Sequence, residues 1–167
     1  MNLGSVLPGV DILIDSNILL YWLFGHSQQC RDFVERCVQG QLRGHVPAIC
    51  LAEVFHRLML AEAKRNGWLK KSNPVAALKA HPERVRALID SDERCRDLLK
   101  LGLDYEELES LDLMQSLAVR RRYGLLTNDS ILVATAMRLG ISRIASADRD
   151  LQKAEELDFY LPDDLPS

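Results

Sequence analysis

Hydrophobic and polar positions switch between two periods along this chain. Residues 10–14 (VDILI) form a short, largely apolar run with β-branched side chains and no strict alternation, the pattern of a buried strand. Asp15, Ser16 and Asn17 interrupt it, and the apolar run then resumes. Ser16 is placed to cap a helix over 18–24 that ends at Gly25. Ser27 is placed to cap the next, in which Cys30, Phe33, Val34, Cys37 and Val38 recur at helical spacing until Gly40. His45 and Val46 predict a short second strand. Pro47 opens a helix to about residue 64, and between 48 and 61 only Glu53, His56 and Arg57 are polar. These three lie at i, i+3 and i+4, a single stripe on one helix face.

Gly67, Pro74 and Pro82 mark residues 66–82 as a loop or short helical excursion. Pro82 suits the first turn of a helix over 82–90, and Ser91 is placed to cap another that ends at Gly102. Residues 104–124 read as one amphipathic helix, with Leu108, Leu111, Met114, Gln115, Leu117 and Ala118 as its core face and Gly124 as its stop. A compact helix over 130–140 follows Thr127, Asn128 and Asp129. A strand over 142–146, a short acidic helix from Asp148 and a last strand over 157–161 complete the pattern. This alternation predicts an α/β fold with a mainly parallel sheet. The expected organisation is a single domain over 1–167 with a helical insertion at about 67–103.

Composition narrows the classes. A chain of 167 residues, 47% hydrophobic and 27% charged, is an ordinary globular domain and not a disordered one. The formal net charge of -3 rules out a whole-surface basic field, so contact with nucleic acid needs local patches or metal ions. Cys30, Cys37, Cys50 and Cys95 form no CxxC pair and have no zinc-finger spacing to a histidine, so they read as small core residues in a reducing cytosol. No signal-peptide pattern and no apolar run long enough to span a bilayer is visible, so a cytoplasmic protein away from membranes is expected. Phosphate-loop, dinucleotide and serine-elbow motifs are missing, which argues against those enzyme classes.

The candidate chemistry lies in four acids. Ligands of open α/β sheets bind at the carboxyl ends of strands. Asp15 and Asp148 fall at such ends, Asp129 heads a helix, and Glu53 lies one to two turns into the helix after the second strand. Converging carboxylates repel unless a hard divalent cation offsets them, and carboxylate-held metals hydrolyse phosphodiesters by activating water. Taken singly, each acid has a plainer reading. Asp129 and Asp148 suit helix caps, Asp15 suits a turn, and Glu53 with His56 and Arg57 suits a solvated stripe. Arg120, Arg121 and Arg122 fit either RNA phosphates or a basic last helical turn. Lys64, Arg65, Lys70 and Lys71 around Trp68 fit either a base-stacking patch or a solvated loop.

Three segments taken together, ILIDSNILLYWL, PAICLAEVFHRL and LLTNDSILVATAMRLGISRIASADRDL, resemble the PIN-domain family, in particular VapC-like ribonuclease toxins of toxin–antitoxin systems. The resemblance implies a three-layer α/β/α fold and an endoribonuclease dependent on Mg²⁺ or Mn²⁺. It makes Asp15, Glu53, Asp129 and Asp148 the catalytic, metal-binding acids in that order. Asn17, Thr127, Asn128 and Ser146 stand beside them as supporting groups that orient the acids or a metal-bound water. It further implies an RNA substrate, a cognate antitoxin protein and a homodimer. Two features depart from the family pattern. The family often has Phe shortly after the fourth acid, where this chain runs Asp148-Arg149-Asp150-Leu151, and the middle region is longer than in the shortest members. The alternatives are a non-catalytic PIN scaffold binding RNA or protein, and an aspartate-nucleophile phosphatase. The latter usually has a second acid where Asn17 stands here.

Overall fold

The computed structural model describes residues 1–69 and 73–165. Lys70 and Lys71 of the basic cluster around Trp68 lie outside the described residues. The elements are β1 (Asp11–Ile14), α1 (Ser16–Leu23), α2 (Gln28–Val38), β2 (Arg43–Pro47), α3 (Ala48–Arg65), α4 (Pro74–Lys79), α5 (Pro82–Arg86), α6 (Ile89–Leu99), β3 (Asp104–Glu106), α7 (Ser110–Tyr123), α8 (Thr127–Leu139), β4 (Arg143–Ala145) and β5 (Asp158–Tyr160). The chain divides into two compact units, one formed by 1–51 with 103–167 and the other by 52–102.

The first unit holds a five-stranded sheet in the order β3-β2-β1-β4-β5, with every pairing parallel. The fold is therefore α/β with a parallel sheet, as the alternation of strand and helix predicts. From β1 the chain steps outward to β2 and β3, then returns across β1 to lay down β4 and β5 on the other side. Right-handed crossovers put the helices of the two halves on opposite faces, so α1 and α2 cover one face and α7 and α8 the other. The order reverses between β1 and β4, and the two carboxyl ends there open a crevice.

Burial of β1 on both faces explains its sequence: Ile12, Leu13 and Ile14 are fully buried. Gly44 on β2 lets α2 approach closely, since a Cβ there would meet Ile14 Cδ1 at 2.8 Å and Cys37 Sγ at 3.0 Å. Ser27 does cap α2, accepting from the Cys30 amide at 2.9 Å. Gly124 and Gly140 close α7 and α8 with φ of 68° and 67°, a conformation open to glycine without a Cβ penalty.

Three local expectations change. Asp15, not Ser16, is the N-cap of α1, and its carboxylate accepts from the Ser16 amide at 2.6 Å. Residues 104–106 form the edge strand β3, and the helix begins only at Ser110. The face of α7 turned inward carries Asp112, Ser116 and Val119, while Leu111, Met114 and Leu117 are exposed.

The second unit packs Ala63, Leu78 and Leu88 with Met59, Leu60, Trp68 and Leu69. Ser91 lies inside α6 and is no cap. The buried Glu62 carboxylate instead accepts from the amides of Asp90 (3.2 Å) and Ser91 (2.7 Å) in the first turn of α6. Burial works against that charge, but the Ser91 side chain together with the Ser91 and Asp90 amides outweighs it and holds the carboxyl below its ordinary range. Among the described residues no helix is long and apolar enough to cross a membrane.

Candidate functional site at the carboxyl ends of the central strands

β1 ends at Ile14 and β4 at Ala145, and the Asp15 amide still donates to the Ala145 carbonyl at 3.0 Å. This last rung sets Asp15 beside Ser146, which is fully buried. Asp15 Oδ1 accepts from the Ser16 amide (2.6 Å) and the Ser16 hydroxyl (3.2 Å). Asp15 Oδ2 accepts from Asn17 Nδ2 (2.6 Å) and the Ser146 hydroxyl (2.6 Å). Both oxygens are thus oriented by several donors, and the half-buried carboxylate is fixed in one rotamer.

Asn17 ties the two strand ends together. Its Nδ2 also donates to Ser146 Oγ at 3.1 Å, and its Oδ1 accepts from the Ala147 amide at 2.8 Å. Ser146 Oγ in turn accepts from the Asp148 amide at 3.0 Å, and Asp148 Oδ1 accepts from the Asp150 amide at 2.8 Å. Asp15, Asn17, Ser146 and Asp148 therefore belong to one hydrogen-bonded network across the switch point. Asp148 caps the short 3₁₀ turn Arg149–Lys153, so its plainer reading as a cap holds alongside any functional one.

The other predicted residues have separate settings. Thr127, Asn128 and Asp129 are the first three residues of α8 and do not precede it. Asp129 is half-buried there, while Thr127 and Asn128 are exposed. A carboxylate in a first turn is favoured by the helix dipole. Glu53, His56 and Arg57 are all exposed on one face of α3. Glu53 falls in the second unit. Among the described residues, no group of three or more His, Cys, Asp or Glu side chains is arranged to hold a metal ion.

Two groups beside Asp15 escape a reading of the sequence. Ser16 reads as a cap, yet its hydroxyl donates to Asp15. Cys50 reads as a small core residue, yet its buried Sγ lies 3.9 Å from Asp15 Oδ1. The available signal for Cys50 is its place one turn before Glu53 on the same helix.

A doubly wound parallel sheet with an oriented carboxylate at its switch point places the protein in the α/β class, whose members commonly bind ligands at that crevice. The family model of the PIN domain matches residues 12–157, and the chain belongs to the PIN domain family. It is 26% identical over 154 residues to Ribonuclease VapC2 of Methanocaldococcus jannaschii, covering 89% of this chain and 91% of that protein. Its fold is similar to a toxin-antitoxin complex from Klebsiella pneumoniae, with TM-score 0.57, 18% identity and coverage of 87% and 94% of the two chains. It is also similar to VapBC2 from Rickettsia felis bound to a promoter DNA fragment, with TM-score 0.58, 12% identity and coverage of 89% and 96%.

Proposed function

We propose that this protein is an endoribonuclease dependent on Mg²⁺ or Mn²⁺ and is the toxin of a toxin–antitoxin pair. The carrying observation is the fixed Asp15 carboxylate at the β1–β4 switch point of a PIN-domain chain, held by Ser16, Asn17 and Ser146. The similarity to a VapC ribonuclease and to structures of toxin–antitoxin complexes supports the substrate class and a cognate antitoxin protein as partner. Self-association as a homodimer belongs to the same reading.

The donor chemistry suits a hard cation. Asp15 and Asp148 offer carboxylate oxygens at adjoining strand ends, and Asp129 and Glu53 are the further acids assigned to it. Mg²⁺ commonly takes only one or two carboxylates and completes its shell with water and substrate phosphate, so a closed protein cage is not required. Such an ion would supply an activated water and charge compensation at the scissile phosphate. The chain's own part is orientation. Ser146 and Asn17 hold Asp15 Oδ2, the Ser16 amide holds Oδ1, and Asn17 locks the Ala147 amide so that Asp148 follows in a fixed place.

The test is Asp15→Asn, assayed on RNA with Mn²⁺ and titrated with Mn²⁺ by calorimetry. Asparagine keeps the capping geometry, so the fold should persist while cleavage falls by about a thousandfold or more and metal affinity drops. Cleavage at the wild-type rate would overturn the assignment.

A further inference from the structure

A carboxylate site repels a polyanion, and the chain carries a formal net charge of -3. Beyond any bound metal ion, cations close to the site must supply the attraction for a nucleic acid. Two segments carry them. α8 feeds the start of β4, so its head and the end of α7 lie toward the carboxyl edge of the sheet, and Arg120, Arg121 and Arg122 are exposed there. The 3₁₀ turn Arg149–Lys153 follows Asp148 and has an exposed cation at each end. Between the two segments lies a trough of about 600 Å³, lined by Arg122, Tyr123, Lys153, Glu155 and Glu156. It begins about 10 Å from Asp148, the length of a five-residue 3₁₀ turn.

Both cations of the trough already hold exposed carboxylates. Arg122 pairs with Glu156, which also accepts from the Tyr123 hydroxyl, and Lys153 Nζ lies 2.9 Å from Asp150 Oδ1. The Arg122 guanidinium sits over the Tyr123 ring, 5.0 Å from its centre, so the aromatic face supports the planar fork. Exposed pairs of this kind are weak, so exchanging a carboxylate for a phosphate costs the fold little. The exchange gains affinity, because the guanidinium fork matches phosphate oxygens bidentately and each contact releases counterions from the strand. A basic last turn also suits the dipole of α7, but that dipole does not set Arg122 and Lys153 on one trough.

We propose that this trough binds the phosphate backbone of single-stranded RNA beside the cleavage site, with Glu156 occupying Arg122 until the strand replaces it. The choice of RNA as ligand rests on the endoribonuclease reading. Arg122 and Lys153 bind the strand and leave bond cleavage to the acids.

Fluorescence anisotropy of a short labelled oligouridine, measured on the full chain without divalent cations, reads binding apart from cleavage. Arg122→Gln and Lys153→Gln should each weaken binding about fivefold and flatten the dependence of log Kd on log salt by about 0.7, the value for one phosphate contact on a single strand. In Mn²⁺ the same variants should raise KM for RNA by a similar factor with kcat unchanged. Both side chains are exposed, so thermal melts should show the fold intact. Glu156→Gln should tighten binding, whereas Asp158→Asn, an exposed acid on the same stretch outside the trough, should change it little. Arg122→Gln with Glu156→Gln should bind no better than Arg122→Gln alone, because Glu156 acts through Arg122. Equal tightening by Glu156→Gln and Asp158→Asn would reduce Glu156 to general charge and overturn its part. A wild type that cuts RNA, with Kd and KM unchanged in Arg122→Gln and Lys153→Gln, would overturn the trough and leave the nuclease reading in place. A wild type that binds through these cations and cuts nothing in Mn²⁺ would overturn the nuclease reading and leave the trough. A wild type that neither binds nor cuts would overturn both.

Discussion

Arg138 of α8 grips Asp112 of α7 with two hydrogen bonds, Nε to Oδ1 at 2.7 Å and Nη2 to Oδ2 at 3.1 Å. Asp112 is fully buried, and its carboxylate also accepts from the Glu109 amide at 3.0 Å. Burial alone would raise its pKa, but the bonds and charge of Arg138 together with the Glu109 amide outweigh that and hold the carboxyl below its usual range. This pair fixes α7 against α8 and sets which face of α7 looks outward.

Removing one partner leaves the other buried and uncompensated. Asp112→Ala should therefore cost about 3 kcal/mol of unfolding free energy in urea, and Arg138→Ala a similar amount. The paired variant Asp112→Leu with Arg138→Met should cost less than either single change, because no orphan charge remains. The wild-type contribution is present above the unfolded carboxyl pKa and fades as pH falls through the lower folded value.

His45 makes a second prediction, this time in pH. Its Nδ1 meets Glu106 Oε1 at 2.8 Å and its Nε2 meets Asp11 Oδ1 at 3.0 Å, so one imidazolium ties β1, β2 and β3 together. Asp104 lies 4.0 Å away, and Arg43 pairs with Asp11 from the same strand as His45. Partial burial lowers the imidazolium pKa, yet the bonds to Glu106 and Asp11 and the nearby charges carry it above its ordinary value. A raised pKa means the stabilisation is complete below about pH 6.5 and is lost as pH rises through the folded value. The melting temperature of wild type minus that of His45→Gln should be largest near pH 6 and shrink toward about pH 8.5. A difference that grows with pH would show that His45 is neutral in the folded state.

The central strands were legible because burial on both faces leaves an apolar mark, as in Ile12, Leu13 and Ile14. The edge strand β3 was not. Asp104, Tyr105 and Glu106 carry no such mark, and only the backbone ladder to His45, Val46 and Pro47 makes them a strand. The outer face of α7 was misread for a related reason: periodicity finds an apolar face but cannot say whether it meets the core or a surface. The positions of the candidate acids could be found along the chain, and Asn17 and Ser146 beside them. The contacts of Ser16 and Cys50 with Asp15 could not, since they depend on how Asp15 turns at the strand end.

Gly44 should resist substitution. An added Cβ would lie 2.8 Å from Ile14 Cδ1 and 3.0 Å from Cys37 Sγ, closer than packed atoms stand. Gly44→Ala should cost about 1–3 kcal/mol by overpacking. Trimming the opposing side chain in Gly44→Ala with Cys37→Ala should recover part of it, a coupling measurable by a double-mutant cycle. Burial pushes the Cys37 thiol up to about 12, so it should resist thiol reagents until the protein unfolds.

Ser146 gives the sharpest separation between holding the fold and serving the site. Its hydroxyl donates to Asp15 Oδ2 at 2.6 Å and accepts from Asn17 Nδ2 at 3.1 Å and the Asp148 amide at 3.0 Å. Ser146→Ala removes one of the donors that orient Asp15 and leaves the Asp148 amide without this acceptor. The stability cost should be about 1–3 kcal/mol, as for a buried group losing its partner. If Asp15 serves a divalent cation, Mn²⁺ affinity should fall about 10–100-fold, the range for loss of a group that orients a metal ligand. Ser146→Thr keeps the hydroxyl and should restore much of that affinity, provided the extra methyl is accommodated. Calorimetric titration with Mn²⁺ reads this without reference to cleavage. Unchanged Mn²⁺ affinity in a folded Ser146→Ala would show that Ser146 serves only to join the ends of β1 and β4.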